Sequence, residues 1–225
     1  MWHNMSVNIF TSTKVLGDFP HATTRVYDAG QIILYEGDQP NHVMFVKSGA
    51  IKFFDTDRDG NEKILHIGGE GSIAPLFYSF EDKKAVDAFY AALTKTEVLL
   101  VPLEDFRFKL RESAEYTYSV LRWYAEEMDH IVLRLKSLEK STAKQKILQA
   151  LYYLSDQHSS ADTTRGTWQR INFPVTQQIL ANLTGLTRET VNIILNDPEC
   201  LKYVRSNSRQ RFEINKSKIA TLLTN

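Results

Sequence analysis

At 225 residues, with 43% apolar and 24% charged residues, the chain has room for a sizeable core and two domains, and its composition excludes a disordered or fibrous protein. The formal net charge is zero, yet residues 1–141 hold 16 Lys and Arg against 21 Asp and Glu while 142–225 hold 11 against 6, so a polyanion is expected to meet the last third. Cys200 is the only cysteine, which excludes an internal disulfide; the opening MWHNMSVNIF has no basic region leading into an apolar run and no stretch is long enough to span a bilayer, so a cytoplasmic protein with no signal peptide and no membrane partner is expected.

Residues 25–103 read as short strands divided by turn chemistry. Val43–Val46 is an apolar run closed by Ser48-Gly49, and Ala50–Asp55 follows it. Asp57-Arg58-Asp59-Gly60-Asn61 carries the Asp-Gly hairpin signal, Lys63–Ile67 returns, and Ala88–Leu93 and Glu97–Val101 close the set. Regular short strands with glycine turns predict a small barrel or roll. Asp57–Asn61 also resembles the start of a calcium loop, but the later ligands are missing.

Helical signals begin at Pro102, with a short helix over Leu103–Arg111. From about Ser113 a long helix carries Thr117, Leu121, Tyr124, Met128, Ile131, Leu135 and Leu138 at alternating spacings of 4 and 3, an a/d seam that predicts a parallel dimer. Packing of the same face on its own domain is the alternative. Lys140-Ser141-Thr142 breaks the seam and caps a helix over Ala143–Gln157, and His158–Gly166 reads as a polar loop.

Pro174–Leu195, PVTQQILANLTGLTRETVNIIL, reads as two short helices around a tight turn at Gly185. Ala181 lets the helices cross closely, Thr187 caps the second helix, and Leu180, Leu186, Val191 and Ile194 face inward. Arg188, Glu189, Asn192 and Asn196 point outward, as residues that read a major groove must. Asp197-Pro198 stops the second helix, and strands over Leu201–Val204 and Arg211–Ile214 form a wing.

The string Gly185-Leu186-Thr187-Arg188-Glu189-Thr190-Val191, preceded by Leu180-Ala181-Asn182-Leu183-Thr184, resembles the recognition unit of the Crp–Fnr family of bacterial transcription regulators. Ala29–Asp38, Val43–Ile51 and Gly71-Ser72-Ile73 are similar to successive parts of that family's cyclic-nucleotide-binding-like β-roll. The resemblance implies an α+β fold: an N-terminal double-stranded β-helix over 1–112, a dimerisation helix over 113–140 and a winged helix-turn-helix over 141–225. It also implies that Arg188 and Glu189 read bases and that Thr176, Gln177 and Gln178 meet phosphates, with Thr187, Asn192 and Ile193 on the same surface and Arg209 and Arg211 in the wing. Lys202 and Arg205 are further wing cations. Ile193 stands where the family commonly has Arg, which exchanges a guanine contact for one with a thymine methyl.

In that family a cyclic nucleotide is held by Gly-Glu and Arg-Ser pairs. Ala74-Pro75 and Val86-Asp87 occupy the matching positions here, so the expected effector is not a cyclic nucleotide. An uncharged, partly apolar molecule in a pocket of Ile73, Ala74, Pro75, Leu76, Phe77, Val86, Asp87, Tyr124 and Met128 is the expectation, and a filled cavity without effector is the alternative. The six histidines are scattered, and one cysteine cannot hold an iron–sulfur cluster, so no metal, cofactor or catalytic residue is expected. His66 reads as a satisfied structural or surface histidine.

The expected function is that of a homodimeric regulator, not an enzyme, on a roughly palindromic double-stranded operator, with RNA polymerase a candidate partner. A ligand-binding module acting through protein contacts, without specific DNA binding, is the alternative.

Overall fold

The computed structural model describes residues 10–80, 85–139, 142–157, 164–165, 167–206 and 211–224. They form two compact units, one of residues 1–53 with 67–126 and one of 54–66 with 127–225. In chain order the elements are α1 (Ser12–Asp18), β1 (Thr23–Tyr27), β2 (Ile32–Leu34), β3 (His42–Ser48), β4 (Ile51–Thr56), β5 (Glu62–Gly68), β6 (Ile73–Ala74), α2 (Phe77–Phe80), β7 (Phe89–Ala92), β8 (Thr96–Pro102), α3 (Leu103–Glu112) and α4 (Ala114–Glu139). There follow α5 (Ala143–Gln157), β9 (Thr164–Arg165), β10 (Trp168–Arg170), α6 (Gln177–Thr184), α7 (Arg188–Leu195), β11 (Val204–Ser206), β12 (Phe212–Asn215) and α8 (Lys216–Thr224).

The strands before α3 make two four-stranded sheets, ordered β1-β8-β3-β6 and β2-β7-β4-β5, which is the expected roll. The apolar run Val43–Val46 on β3 is buried on both faces. One face meets the aromatic rings of Phe10, Phe19, Phe106 and Tyr116, with Phe45 among them. The other meets Tyr27, Tyr78 and Tyr90 inside the roll. The β4–β5 turn is closed by the Asp57 carboxylate, which accepts from the Asp59 and Asn61 backbone N–H groups at 3.1 and 2.9 Å. Those bonds, chiefly the one from Asn61, lower its pKa, and they make the segment a hairpin turn.

The second unit buries Ile147, Leu151 and Leu154 of α5 with Leu180, Leu183 and Val191 of the helix pair and Ile214 and Ile219 beyond them. Its sheet runs β11-β12-β10-β9. The first wing strand begins three residues later than the sequence suggests, because Cys200–Lys202 close a 3-10 turn after Pro198. Helix α8 is an element the sequence pattern did not disclose; Asn215 Oδ1 caps it by accepting from Lys218 N at 3.1 Å.

Helix α4 divides the expected seam residues by exposure. Leu121, Met128, Leu135 and Leu138 are exposed, but Thr117, Tyr124 and Ile131 are half-buried. The Thr117 hydroxyl donates to Leu110 O at 2.6 Å, and the Tyr124 ring packs edge-on against Phe77. The apolar stripe left open is Tyr118, Leu121, Ala125, Met128, Val132 and Leu135, which keeps the 3-4 spacing but lies one residue round from half of the expected set.

Gly49 is fixed by its surroundings. It has φ 86°, and a Cβ built there would lie 2.5 Å from Lys95 O. Gly185 also has positive φ, yet no atom would lie within 4 Å of its Cβ. Replacing Gly185 by Ala therefore costs only backbone strain, about 1–2 kcal/mol, whereas Gly49→Ala forces the β3–β4 turn off β8 and is expected to cost at least about twice that. Urea unfolding of the two variants checks the order.

Candidate nucleic-acid interface

The helix pair is built by local chemistry. Thr176 Oγ1 accepts from Ile179 N at 3.0 Å and starts α6, and Gly185, left-handed at φ 69°, ends it with its N–H on Ala181 O. Thr187 Oγ1 accepts from Thr190 N at 3.2 Å and starts α7. Thr184, in a position that favours an apolar residue, is buried, and its hydroxyl donates to Leu180 O at 2.6 Å, which satisfies it.

Val191 and Leu195 are buried under α7, while Arg188, Glu189, Asn192, Ile193 and Asn196 share its exposed face. Ile193 is 70% exposed on that face, next to Asn192. Gln178 is exposed but donates to Asn182 Oδ1 at 2.7 Å, and Gln177 donates to Asn192 Oδ1 at 2.8 Å. Both glutamines are thus engaged within the protein.

In the wing, Arg205 is stacked over the Trp168 ring at 3.8 Å, and Lys202 is paired with Glu199 at 2.5 Å. Arg211 is half-buried at the start of β12. Arg209 lies outside the described residues. Cys200 is buried, and burial pushes its thiol up to about 11, so it is an apolar filler at neutral pH.

Polar contacts within the second unit hold the helix pair from behind. The buried guanidinium of Arg134 on α4 donates to Ile64 O on β5 at 3.0 Å and to Leu183 O in the last turn of α6. Asn182 Nδ2 donates to the Glu62 carboxylate at 3.1 Å. Glu127 Oε2 stands 3.0 Å from His66 Nε2, its other oxygen lies 3.8 Å from His130 Nδ1, and the Tyr153 hydroxyl is 3.1 Å from His66 Nδ1. His66 is therefore a satisfied structural histidine. Arg134, Glu127, Glu62 and Asn182 carried no sequence signal, since charged and amide residues on a helix or hairpin ordinarily face water.

The residues expected to line one effector pocket are divided. Ile73 and Leu76 belong to the aromatic cluster around Phe45, with Tyr124 packed against it, while Ala74 and Val86 belong to the cluster inside the roll. Pro75 is buried after a cis Ala74–Pro75 bond, and Met128 is 38% exposed. Val86 is buried, its N–H donating to Asp38 O at 2.8 Å. Asp87 accepts from the Tyr78 hydroxyl at 2.9 Å. A cleft of about 350 Å³ lies elsewhere, between Ser79, Phe80, Glu104, Arg107, Leu110 and Arg111, and there Arg107 is bonded to Glu104 and to Ser79 O.

Two family profiles match in tandem: the cyclic nucleotide-binding domain over residues 24–113 and the Crp-like helix-turn-helix domain over 145–218. The chain belongs to the Crp–Fnr family. This family member is 24% identical over 186 residues to the HTH-type transcriptional regulator ArcR of Staphylococcus epidermidis, covering 82% of this chain and 79% of that one. It is 27% identical over 172 residues to the cyclic AMP receptor protein of Thermus thermophilus, covering 76% and 74%. The structure of FixK2 from Bradyrhizobium japonicum superposes with TM-score 0.74 at 19% identity over 89% of this chain and 96% of that one. The c-di-GMP responsive regulator CLP of Xanthomonas campestris gives 0.71 at 15% over 90% and 98%. ArcR is a transcriptional regulator and CLP a global regulator. No helix of this family member, among its described residues, is long and apolar enough to cross a membrane.

The Glu127 cluster sets an acid limit. Burial alone would raise the Glu127 pKa, but the neighbouring imidazoles of His130 and His66 outweigh it and hold the carboxyl at about 2, against an ordinary 4.5. A depressed carboxyl contributes stability above its unfolded pKa and loses it as pH falls towards the folded one. Glu127→Gln is therefore expected to cost on the order of 2 kcal/mol at pH 7, with the gap to the unmodified protein closing between about pH 4.5 and 2. Urea midpoints across that range measure it.

Proposed function

We propose that this chain is a homodimeric, sequence-specific DNA-binding transcription regulator. The observation that carries the reading is the outer face of α7, where Arg188, Glu189, Asn192 and Ile193 stand exposed together on a helix anchored by Val191 and Leu195. Arg188 can give two donors to guanine O6 and N7, Glu189 can accept from cytosine N4, and Ile193 can pack on a thymine methyl. By the family resemblance, Thr176, Thr187, Gln178 and Arg211, with Arg209 outside the described residues, are the candidates to meet phosphates. Gln177 acts on Asn192 rather than on the backbone of the DNA.

Two copies pair in parallel along the open stripe Tyr118, Leu121, Ala125, Met128, Val132 and Leu135. Paired α7 helices then face half-sites about 34–36 Å apart, so the operator is roughly two-fold symmetric. Residues 1–112 sense, 113–140 dimerise and 141–225 bind DNA, in the cytoplasm, with RNA polymerase a candidate partner. An effector, where one acts, is uncharged and partly apolar. Val86 offers no donor to a cyclic phosphate, Asp87 carries the wrong charge, and Pro75 has no N–H. A roll filled by its own side chains is the second reading, and the Tyr78–Asp87 bond favours it.

Arg188→Ala is expected to cost about 1–3 kcal/mol of specific binding and little of random-duplex binding. Competition titrations against random duplex measure both, and an unchanged ratio contradicts the reading. Leu121→Glu places a charge in the seam and should turn a micromolar dimer into a monomer in sedimentation. An unmodified protein that is monomeric and still binds DNA contradicts the seam.

A further inference from the structure

Three side-chain amides meet at the reading surface, and their orientation follows from one fixed atom. Asn196 Nδ2 lies 2.8 Å from the backbone carbonyl oxygen of Asn192 and 3.1 Å from Asn192 Oδ1. A backbone carbonyl can only accept, so the atom of Asn196 placed there must be its NH₂ group. That NH₂ also faces the end of the Asn192 side chain, which must present its oxygen. Gln177, 2.8 Å from the same oxygen, must in turn present its NH₂. Turning any one of the three amides over sets like atoms against each other.

Asn192 Oδ1 thus has both lone pairs occupied by protein donors, from the first turn of α6 and the last residue of the α7 turn. Its own NH₂ has no protein partner among the described residues, and the residue is exposed one turn after Arg188 and Glu189. An unrestrained asparagine reads adenine with both of its atoms, donating to N7 and accepting from N6. Here the accepting atom is already engaged.

We propose that Asn192 is a polarised reader that offers only N–H donors to the major groove. It therefore selects a base that presents acceptors without a donor at that edge, guanine through O6 and N7 or thymine through O4, over cytosine, whose amino group would meet its NH₂, and over adenine, which has N7 as an acceptor but an amino group beside it. Gln177 and Asn196 are positioning residues that act through Asn192. The inference rests on the DNA-binding reading above and adds to it the polarity of one contact.

The test starts with selection from random duplex DNA by the unmodified protein, followed by competition titrations with all four bases at each half-site position. Asn192→Asp keeps the shape and replaces the outward donors by an acceptor. One position should favour guanine or thymine about fivefold or more with the unmodified protein, and turn towards cytosine or adenine with Asn192→Asp, whatever the drop in overall affinity. Gln177→Leu combined with Asn196→Ala releases the amide and should raise adenine at that position alone. If Asn192→Asp alters no position, or the position it alters favours adenine with the unmodified protein, the polarity is wrong while the DNA-binding reading stands. If the unmodified protein enriches no sequence, that reading fails and this inference falls with it.

Discussion

A buried guanidinium holds the reading unit together. Arg134 is buried, and the backbone carbonyls that accept from it offset the lost hydration. Leu183 O lies in the last turn of α6, where the helix leaves carbonyls unpaired and the dipole favours a cation, so the bond gives that carbonyl a donor. Two turns earlier on the same helix, Glu127 is engaged with His66 and His130. One face of α4 is therefore committed to buried charge, and the apolar stripe from Tyr118 to Leu135 lies on another. Ile131 is half-buried because it shares the committed face with His130 and Arg134.

This division explains what the sequence could and could not disclose. The helix pair was legible because its determinants are local: Gly185 for positive φ, Thr176 and Thr187 as caps, Val191 and Leu195 as a buried stripe. The strands of the roll were legible for the same reason, through the run Val43–Val46 and the Asp57–Gly60 turn. The seam was legible only in its period. Thr117, Tyr124 and Ile131 compete with Tyr118, Ala125 and Val132 for the same spacing, and packing across the fold decides between them. Arg134, Glu127 and His66 come from segments far apart in the chain, so no window of sequence contains their relation. The effector residues fall into two side-chain clusters because Ile73 and Ala74, adjacent in β6, face opposite sides.

The roll and the reader fit one account. The position that the family resemblance aligns with a cyclic phosphate is taken by the buried Val86 and the Tyr78–Asp87 pair. The reader is oriented by contacts inside its own unit, from Glu62, Ile64 and Arg134. On the proposed reading, base recognition by α7 is prepared in advance, with Gln177 and Asn196 fixing Asn192 before DNA arrives. Preorganised side chains lose less entropy on binding, which favours a slow release from the matched sequence.

The most direct measurement is a fluorescence anisotropy titration of a duplex enriched by selection, at fixed salt, with and without cyclic AMP. The account predicts tight binding of two protomers per duplex without the nucleotide and an unchanged affinity in its presence. Binding that appears, or strengthens tenfold or more, only when cyclic AMP is added would contradict it.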